Sequence, residues 1–394
     1  MLKGRSILFG ITGSIAAYKS ADIVRRLVEQ GAEVNVVMTD ASTRFATPYL
    51  FETITGKPVH IDLFEDPFSH INLSKDADLF IIAPATANTI NKISAGIADN
   101  LMTNLWLTYK GAALIAPAMN TRMYENPVVQ TNVKALKKMG IQFIGPETGN
   151  LACGEEGIGR MSDVDEIVEA VVSAMTEKDL TGEKLLVTAG PTREPIDAVR
   201  FISNRSSGKM GFAIAEAAKR RGAEVTLVSG PSGEKPAGGI NFLGVEKASE
   251  MKRSVEKNLA WSTSVIMAAA VSDFTAGKVH KEKLRKTYIN SLDLNKTDDI
   301  LKSISLKKGK KVVIGFAAES GRNIENARRK MRDKKLDLIV LNDISSKGAG
   351  FDVDTNIITI IDKKGDETDY PIMKKIEVAN VILDRLVELK KEKK

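Results

Sequence analysis

The chain has few cysteine, histidine and aromatic residues. Among its 394 residues there are one cysteine, three histidines and 5% aromatics. A single cysteine cannot form an internal disulfide, which excludes the disulfide-stapled secreted class. The low aromatic content argues against a surface that stacks the bases of single-stranded nucleic acid.

Long apolar runs are also missing. No run approaches the roughly 18 residues that a membrane helix needs. Residues 1–6 lead directly into a strand-like segment with no cleavage-site pattern. We therefore expect a cytoplasmic protein without a membrane helix or a signal peptide.

Positive charge exceeds negative charge, but the excess is spread along the chain. The formal net charge is +7, and Lys and Arg are dense only at residues 328–335 and 390–394. This distribution does not favour nucleic acid as a partner, and it suits phosphorylated ligands equally well.

Two β-α-β patterns follow one another along the chain. In the first, an apolar run at 6–9 leads through a glycine turn at 10–14 to a helix-period stretch at 15–30 and a strand at 33–38. The pattern restarts with a strand at 184–187, a helix at about 210–221 and a segment at 222–228 that echoes 31–37. Further buried strands are predicted at 79–83, 112–116, 264–268, 312–316 and 336–341.

These patterns predict the α/β class, with two doubly wound (Rossmann-like) domains. The length of the chain is also more than one hydrophobic core usually serves. The polar stretch 176–183 separates the two patterns. We predict domains at residues 1–178 and 184–394, each a mainly parallel sheet flanked by helices.

Candidate ligand positions in the first half follow predicted strands. The turn Gly13-Ser14-Ile15 opens a helix, where backbone amides suit a phosphate, although a purely structural turn fits equally well. Residues 84–89 and 117–120 follow two buried strands, with ordinary connecting loops as the alternative. By itself His70 suits a structural histidine, whereas Cys153, in the glycine-rich and flap-like segment 150–157, is a candidate for proton transfer.

The second half has a long polar stretch between a strand and a helix. Residues 188–211 contain the glycines and hydroxyls that cradle phosphates, although a surface loop is the alternative. Asp273 ends another buried strand, where it suits a ribose, an amine or a magnesium ion. Lys330 and Lys334 lie four residues apart and so share one side of a helix, which solvent would explain as well.

Segments of the first half resemble the flavin-dependent cysteine decarboxylases, specifically phosphopantothenoylcysteine decarboxylase. The matching segments, in order, are 10–19, 84–89, 117–123 and 150–157. The resemblance implies a flavin mononucleotide (FMN), with His70 as catalytic base or orienting group, Asn120 and Met123 as substrate clamp, and Cys153 as acid. Tyr124 stands where the clamp usually has tryptophan, and tyrosine keeps a flat apolar face. The residues implied to hold FMN are Gly13, Ser14, Ile15, Thr39, Thr86, Ala87 and Asn88.

Segments of the second half resemble phosphopantothenate–cysteine ligase. They are 188–211, 268–274, 283–286, 315–319, 342–343 and 350–356. The resemblance implies that Lys283 stabilises charge as a carboxylate attacks the nucleotide, and that Asn204 acts on the acyl-cytidylate. Magnesium ion is also implied, and Arg285 stands where a lysine is common. The residues implied to bind substrates are Ala269, Asp273, Phe316, Lys330 and Lys334.

Together, the two halves are similar to the bifunctional decarboxylase–ligases of prokaryotes. That family implies CTP-dependent ligation of 4'-phosphopantothenate with cysteine, then FMN-dependent decarboxylation of phosphopantothenoylcysteine, in coenzyme A biosynthesis. It also implies a homo-oligomer, a dodecamer, with flavin between subunits. A non-catalytic flavin-binding scaffold is the alternative, and a nicotinamide oxidoreductase is disfavoured because the G-x-G-x-x-G fingerprint is absent.

Overall fold

A computed structural model describes most of the chain. The described residues are 2–65, 67–151, 154–285, 291–319, 321, 323–345, 348, 350 and 352–393. The chain divides into two compact units, residues 1–176 and 177–394. Within the described residues, no helix combines the length and apolar character needed to cross a bilayer.

The first unit is a parallel sheet between two layers of helices. The strands are β1 Ser6–Ile11, β2 Glu33–Met38, β3 Leu79–Ala85, β4 Ala112–Pro117, β5 Gln142–Phe143, β6 Glu147–Asn150 and β7 Glu156–Arg160. The helices are α1 Ala17–Glu29, α2 Pro48–Thr55, α3 Ser69–Lys75, α4 Ala87–Ala95, α5 Leu101–Thr108, α6 Thr121–Glu125, α7 Pro127–Lys138 and α8 Val164–Met175, with a 3-10 turn at Asp40–Arg44.

The parallel strands lie in the order β2-β1-β3-β4-β5. Every residue of β3 is buried, because helices cover both faces of the sheet and the strand must be apolar throughout. Helices α1 and α8 pack on one face, and α4, α5 and α7 pack on the other. The strand order reverses between β1 and β3, which is where open α/β sheets leave a crevice for ligands.

The second unit repeats this plan with additional strands. The strands are β8 Lys184–Ala189, β9 Arg193–Pro195, β10 Phe201–Ser203, β11 Glu224–Ser229, β12 Asn241–Gly244, β13 Ser264–Met267, β14 Phe274–Ala276, β15 Leu294–Lys296, β16 Val312–Glu319, β17 Leu338–Asp343, β18 Thr355–Asp362 and β19 Glu367–Lys374. The helices are α9 Lys209–Arg220, α10 Ala248–Leu259, α11 Ile300–Leu306, α12 Ile324–Asp333 and α13 Lys375–Glu392.

Its main sheet has the order β12-β11-β8-β13-β16-β17-β18-β19. The strands from β12 to β17 are parallel, and β18 and β19 add antiparallel pairs. Helices α9 and α13 cover one face, and α10, α11 and α12 cover the other. The predicted α/β class, with two mainly parallel sheets, is confirmed.

Some predicted bounds differ from the observed ones. Strand β17 begins two residues later than predicted, because Lys335 has a φ of 47° and the Leu336 amide still donates to Met331 O at the end of α12. The antiparallel strands β18 and β19 are not in the prediction at all. The predicted flap is part of the antiparallel hairpin β6–β7, and Cys153 in it lies outside the described residues.

Candidate active sites

A cavity of about 830 Å³ lies at the carboxyl ends of β1, β3 and β4. Its walls come from the glycine turn after β1, the start of α4, the loop after β4 and the hairpin β6–β7. Most of the residues predicted for the first site line it. They are Gly13, Ser14, Ile15, Thr86, Ala87, Asn120 and Met123.

The first two loops of this cavity are tied together by one hydroxyl group. Thr12 Oγ1 donates to Pro84 O at 2.8 Å and accepts from the Thr86 amide at 3.0 Å. Thr86 in turn caps α4, because its Oγ1 accepts from the Thr89 amide at 3.4 Å. The N-termini of both α1 and α4 therefore open towards the cavity, and helix N-termini favour anionic groups.

Gly13 is required by close packing in the turn after β1. A Cβ atom at this position would lie 2.7 Å from Ala41 Cβ and 3.2 Å from the Ala41 carbonyl carbon. A side chain would therefore push the turn away from the 3-10 segment that follows β2. Because Gly13 has no side chain, the turn can lie close to the 3-10 segment, and its position defines this wall of the cavity.

The hairpin β6–β7 lies against the loop that carries Asn120. Met119 donates its amide to Gly159 O at 3.0 Å, and a Cβ atom on Gly159, whose φ is 145°, would lie 2.2 Å from Met119 O. Asn120 Nδ2 donates to Glu155 Oε2 at 3.0 Å, and the Arg122 guanidinium lies 3.3 Å from Glu155 Oε1. The donors around Asn120 are thus arranged to bind a carboxylate, and in this chain they bind that of Glu155.

Three residues predicted for this site do not line the cavity within one chain. Thr39 lies just beyond β2, where its amide donates to Ile11 O at 3.0 Å, and Asn88 is exposed on α4. His70 lies on α3, and its Nδ1 is buried without a hydrogen-bond partner in the described part of the chain.

A second cavity, of about 300 Å³, lies in the second unit. It opens between the loop before α9, the ends of β13 and β16, and the segment leading into β18. Among the predicted residues, it is lined by Asn204, Ala269, Asp273, Phe316 and Lys330.

Lys330 is a half-buried cation of this cavity. Its Nζ donates to Phe316 O at 2.7 Å. Burial, together with the nearby Lys334 cation, holds the pKa of the Lys330 amine below its ordinary value. An amine whose charged form is disfavoured by burial and by a neighbouring cation gains from an anionic ligand.

Lys283 and Lys334 are not among the described residues that line the second cavity. The Lys283 side chain is exposed, on the segment that follows β14. Lys334 forms an ion pair with Asp299 at 2.8 Å, and that amine holds the pKa of the Asp299 carboxyl below its ordinary value although burial opposes the shift. Arg285 is exposed close by, while Lys286 and Phe351 of the matched segments lie outside the described residues.

Asn204 lies where the second cavity meets a wider cleft. Its Nδ2 donates to Ala270 O at 3.2 Å and to Val271 O at 2.9 Å, so the amide is held against the end of β13. The adjoining cleft has a volume of about 750 Å³ and shares Asn204, Ser206 and Ser207 with the cavity. Asn204 is therefore placed to touch two ligand parts that enter from different sides.

Several residues that line the second cavity were not named individually as candidates from the sequence. Asn342 and Asn356 are buried, and their Oδ1 atoms have no partner in the described structure. Lys209 and Lys375 also line the cavity, and burial, followed by the Lys209 charge, lowers the pKa of Lys375. Asn342 and Asn356 belong to segments singled out by the sequence, whereas Lys375 follows a strand that the pattern did not reveal.

No group of three or more His, Cys, Asp and Glu side chains able to hold a metal ion occurs among the described residues. Asp273 is the one carboxylate among those that line the second cavity. Magnesium usually binds such sites through one or two carboxylates together with substrate phosphates. The residues present therefore fit a metal ion that arrives with a nucleotide.

Comparison with known proteins assigns both units. Residues 1–176 match the Flavoprotein family, and residues 180–389 match the DNA/pantothenate metabolism flavoprotein C-terminal domain. The coenzyme A biosynthesis bifunctional protein CoaBC of Bacillus subtilis (strain 168) is 43% identical, over 100% of this chain and 99% of that protein. The protein of the same name from Escherichia coli (strain K12) is 40% identical over the same shares.

One solved structure among those that match is the C-terminal domain of a CoaBC protein. It has a TM-score of 0.48 and 39% identity, and it covers 55% of this chain and 100% of that one. The resemblance predicted from the sequence motifs is confirmed by the full-length relatives. The chain therefore belongs to the family of bifunctional coenzyme A biosynthesis proteins.

Proposed function

We propose that this chain ligates cysteine to 4'-phosphopantothenate with CTP and then decarboxylates the phosphopantothenoylcysteine that results. One observation carries the proposal. Each unit has a cavity that is lined by residues implied by the resemblance of that half of the chain. The product would be 4'-phosphopantetheine, on the route to coenzyme A. A thiol substrate and a lone cysteine suit the reducing cytoplasm.

The first cavity fits FMN. Two helix N-termini and Lys19 suit the phosphate, while Ile15, Met119 and Met123 offer apolar contact to a flat ring. Its volume of about 830 Å³ also lies in the range of cofactor sites. Gly13, Ser14, Ile15, Thr39, Thr86, Ala87 and Asn88 are the residues that would hold the cofactor. Bound FMN would take two electrons from the thiol side of the substrate and return them after carbon dioxide leaves.

Asn120 and Met123 would clamp the substrate in this cavity. The Glu155 carboxylate, held by the Asn120 amide and the Arg122 guanidinium, stands in for the substrate carboxylate. His70 would act as base or orienting group, and Cys153 as the acid that donates a proton after carbon dioxide has left. Tyr124 keeps a flat ring next to Met123, and we expect the clamp to work with it.

The ligase reaction would take place in the second cavity in two steps. The carboxylate of 4'-phosphopantothenate attacks the α-phosphorus of CTP, which releases diphosphate and forms an acyl-cytidylate. The amine of cysteine then attacks the acyl carbon and releases CMP. Lys283 would stabilise the charge in the first step, and Asn204 would act in the second.

Nucleotide contacts are proposed for the remaining residues of the second site. Phe316 and Ala269 offer apolar and backbone contacts, Asp273 would bind Mg2+ together with the triphosphate, and Lys330 and Lys334 would bind its phosphates. The adjoining cleft next to Asn204 gives room for the pantothenate arm. Lys283 and Lys334 do not line the cavity, and we expect their long side chains to extend to the nucleotide when it binds.

A homo-oligomer, a dodecamer in the family, is proposed with this function. It rests on the residues that one chain leaves apart, because His70 does not line the first cavity of its own chain. A neighbouring copy would bring His70 to the flavin. The subunit mass of 42.8 kDa makes the state measurable by light scattering.

A non-catalytic flavin-binding scaffold remains the second candidate. It is favoured only by the Glu155 contact, which occupies the carboxylate-binding donors of Asn120. Turnover separates the two candidates, because a scaffold binds flavin without releasing carbon dioxide.

The test uses purified protein with 4'-phosphopantothenate, cysteine, Mg2+ and either CTP or ATP. Diphosphate and carbon dioxide are followed separately, and the flavin is followed by its absorbance. We expect yellow protein, diphosphate release with CTP, and carbon dioxide afterwards. Colourless protein that rejects added FMN would refute the first activity, and absence of diphosphate with both nucleotides would refute the second.

A further inference from the structure

Asp197 is a buried carboxylate for which the proposed reaction has no use. It lies in the turn between β9 and β10, and its side chain is 0% exposed. Its Oδ1 accepts the amides of Val199 and Arg200, both at 2.8 Å. Burial opposes the charge, but these amides, a third one and the Arg200 guanidinium hold the pKa of the Asp197 carboxyl below its ordinary value.

The third amide belongs to a distant part of the chain. Asp197 Oδ2 accepts from the Leu284 amide at 3.1 Å, across 87 residues of sequence. The Arg200 guanidinium lies 3.6 Å from the same oxygen and donates to Leu284 O at 3.4 Å. Both main-chain polar groups of Leu284 are therefore bound by the β9–β10 turn, and His280 adds a bond from its amide to Ile196 O at 3.0 Å.

This anchor connects the two groups proposed for the two chemical steps. Leu284 directly follows Lys283, and Asn204 directly follows β10, the strand that leaves the Asp197 turn. Apart from this anchor, the segment that carries Lys283 is exposed on both sides of Leu284. The backbone position of Lys283 therefore depends on hydrogen bonds from the β9–β10 turn, and the Asp197 carboxylate both accepts one of them and pairs with the arginine that donates another.

We propose that Asp197 is a positioning residue, which holds the Lys283 backbone next to the strand that carries Asn204. The proposal rests on the proposed role of Lys283 in forming the acyl-cytidylate. Asp197 touches neither substrate nor nucleotide. It acts by fixing the backbone position from which the Lys283 side chain extends. A misplacement of about 1 Å can slow a reaction roughly 100-fold.

The sharpest substitution is Asp197→Asn, which keeps the shape and removes one acceptor. The single amide oxygen can serve the Val199 and Arg200 amides or the Leu284 amide, but the NH2 group then meets the remaining N–H donors. We expect diphosphate release in a single turnover without cysteine to slow by roughly 10- to 100-fold. The subsequent release of CMP on addition of cysteine should stay within about threefold of the wild-type rate, since Asn204 keeps its own bonds to β13.

Two further measurements distinguish positioning from a general structural role. The first is a cycle with Lys283→Gln: if Asp197 acts through Lys283, the double variant should be no slower than Lys283→Gln alone. The second is trypsin cleavage at Lys281, Lys283 and Arg285, which should become faster in Asp197→Asn. Asp179→Asn is the matched control, because Asp179 is also a carboxylate of this unit bound to an arginine, Arg221, at 2.6 Å, yet it has no bond to the Lys283 segment.

The outcomes separate cleanly. Equal slowing of both steps, additive effects in the cycle, or the same pattern in Asp179→Asn would overturn the positioning role. If Lys283→Gln alone leaves diphosphate release unchanged, the proposed role of Lys283 is wrong and the positioning proposal fails with it. A slow Lys283→Gln beside a normal Asp197→Asn would refute the positioning role alone.

Discussion

The two units use one sheet plan to build two different ligand sites. Both have the glycine-containing turn and helix after the first strand, and both leave a cavity where the strand order reverses. The cavity of the first unit is about 830 Å³ and has the hairpin β6–β7 along one side, while that of the second is about 300 Å³ and contains lysines. The fold fixes where a ligand binds, and the loops fix which one.

The extra strands of the second unit explain part of the difference. Strands β18 and β19 extend the sheet, and α13 begins directly after β19. Lys375, in the first turn of α13, reaches back to donate from Nζ to Gly350 O at 3.1 Å beside the cavity. Lys209, at the start of α9, holds the same segment through Asp354 at 2.6 Å. An antiparallel addition to the sheet thus brings a further cation, Lys375, to the second cavity.

The largest effects are expected when one site is disabled at a time, which tests whether the two units contain independent sites. Asn120→Asp replaces the donor that binds a carboxylate with a like charge, and we expect decarboxylation of supplied phosphopantothenoylcysteine to fall about 100-fold or more. Asn204→Asp should lower CMP formation by a similar factor, because the amide bonded to Ala270 O and Val271 O becomes an acceptor facing acceptors. Each variant is assayed for both activities.

Each variant of this pair serves as the control for the other. Asn120→Asp should retain diphosphate release, and Asn204→Asp should retain flavin absorbance and decarboxylation. Loss of both activities in either variant, with flavin still bound, would contradict two independent sites and would indicate that one site needs the other.

A smaller effect is expected when the wall of the first cavity is altered. Gly13→Ala places a Cβ atom 2.7 Å from Ala41 Cβ, and overpacking of this kind costs about 1–3 kcal/mol. Because the strain falls on the turn that would hold FMN, we expect about tenfold weaker flavin binding, measured by fluorescence titration of the apoprotein.

The matched control for this substitution is Gly238→Ala, in the second unit. No atom lies within 4 Å of a Cβ atom built there. It should leave flavin binding unchanged, and ligation should be normal in both variants. Unaltered flavin affinity in Gly13→Ala would mean that the turn does not contact the cofactor.

The sequence predicts the central parallel strands of both sheets, because parallel strands covered on two faces must be apolar throughout. Residues 79–83 and 112–116 were predicted from such runs, and β3 and β4 contain them. Strand β19 was missed because most of its residues are exposed, and it has no continuous apolar run.

The candidate sites were predictable to the extent that their residues directly follow strands. Gly13, Thr86 and Asn120 follow the ends of predicted strands, whereas Asn204 follows the unpredicted strand β10 and Asp273 lies in the loop between β13 and β14; all five line a cavity. His70, Lys283 and Lys334 lie on other segments, whose place depends on tertiary contacts that no local pattern encodes. Asp197 illustrates the same limit, because its bond to Leu284 crosses 87 residues.

The pH dependence of nucleotide use offers the finest test of the contrast between the two cavities. Burial and the Lys334 charge lower the pKa of Lys330 from 10.5, so its amine loses the proton at a lower pH than an ordinary lysine. The neutral amine no longer attracts a triphosphate, and kcat/KM for CTP should fall on the alkaline side at a pH below that value. Lys330→Arg keeps its charge throughout, and it should abolish this fall. It should also lower kcat/KM about threefold at neutral pH, because the geometry of an arginine towards Phe316 O differs.

The measurement is diphosphate release without cysteine. Lys252→Arg is the control that should keep the alkaline fall; the Lys252 amine pairs with Asp298 at 2.7 Å. An identical pH profile in Lys330→Arg would exclude Lys330 as the titrating cation, whereas decarboxylation in the first cavity should show no such dependence on this residue.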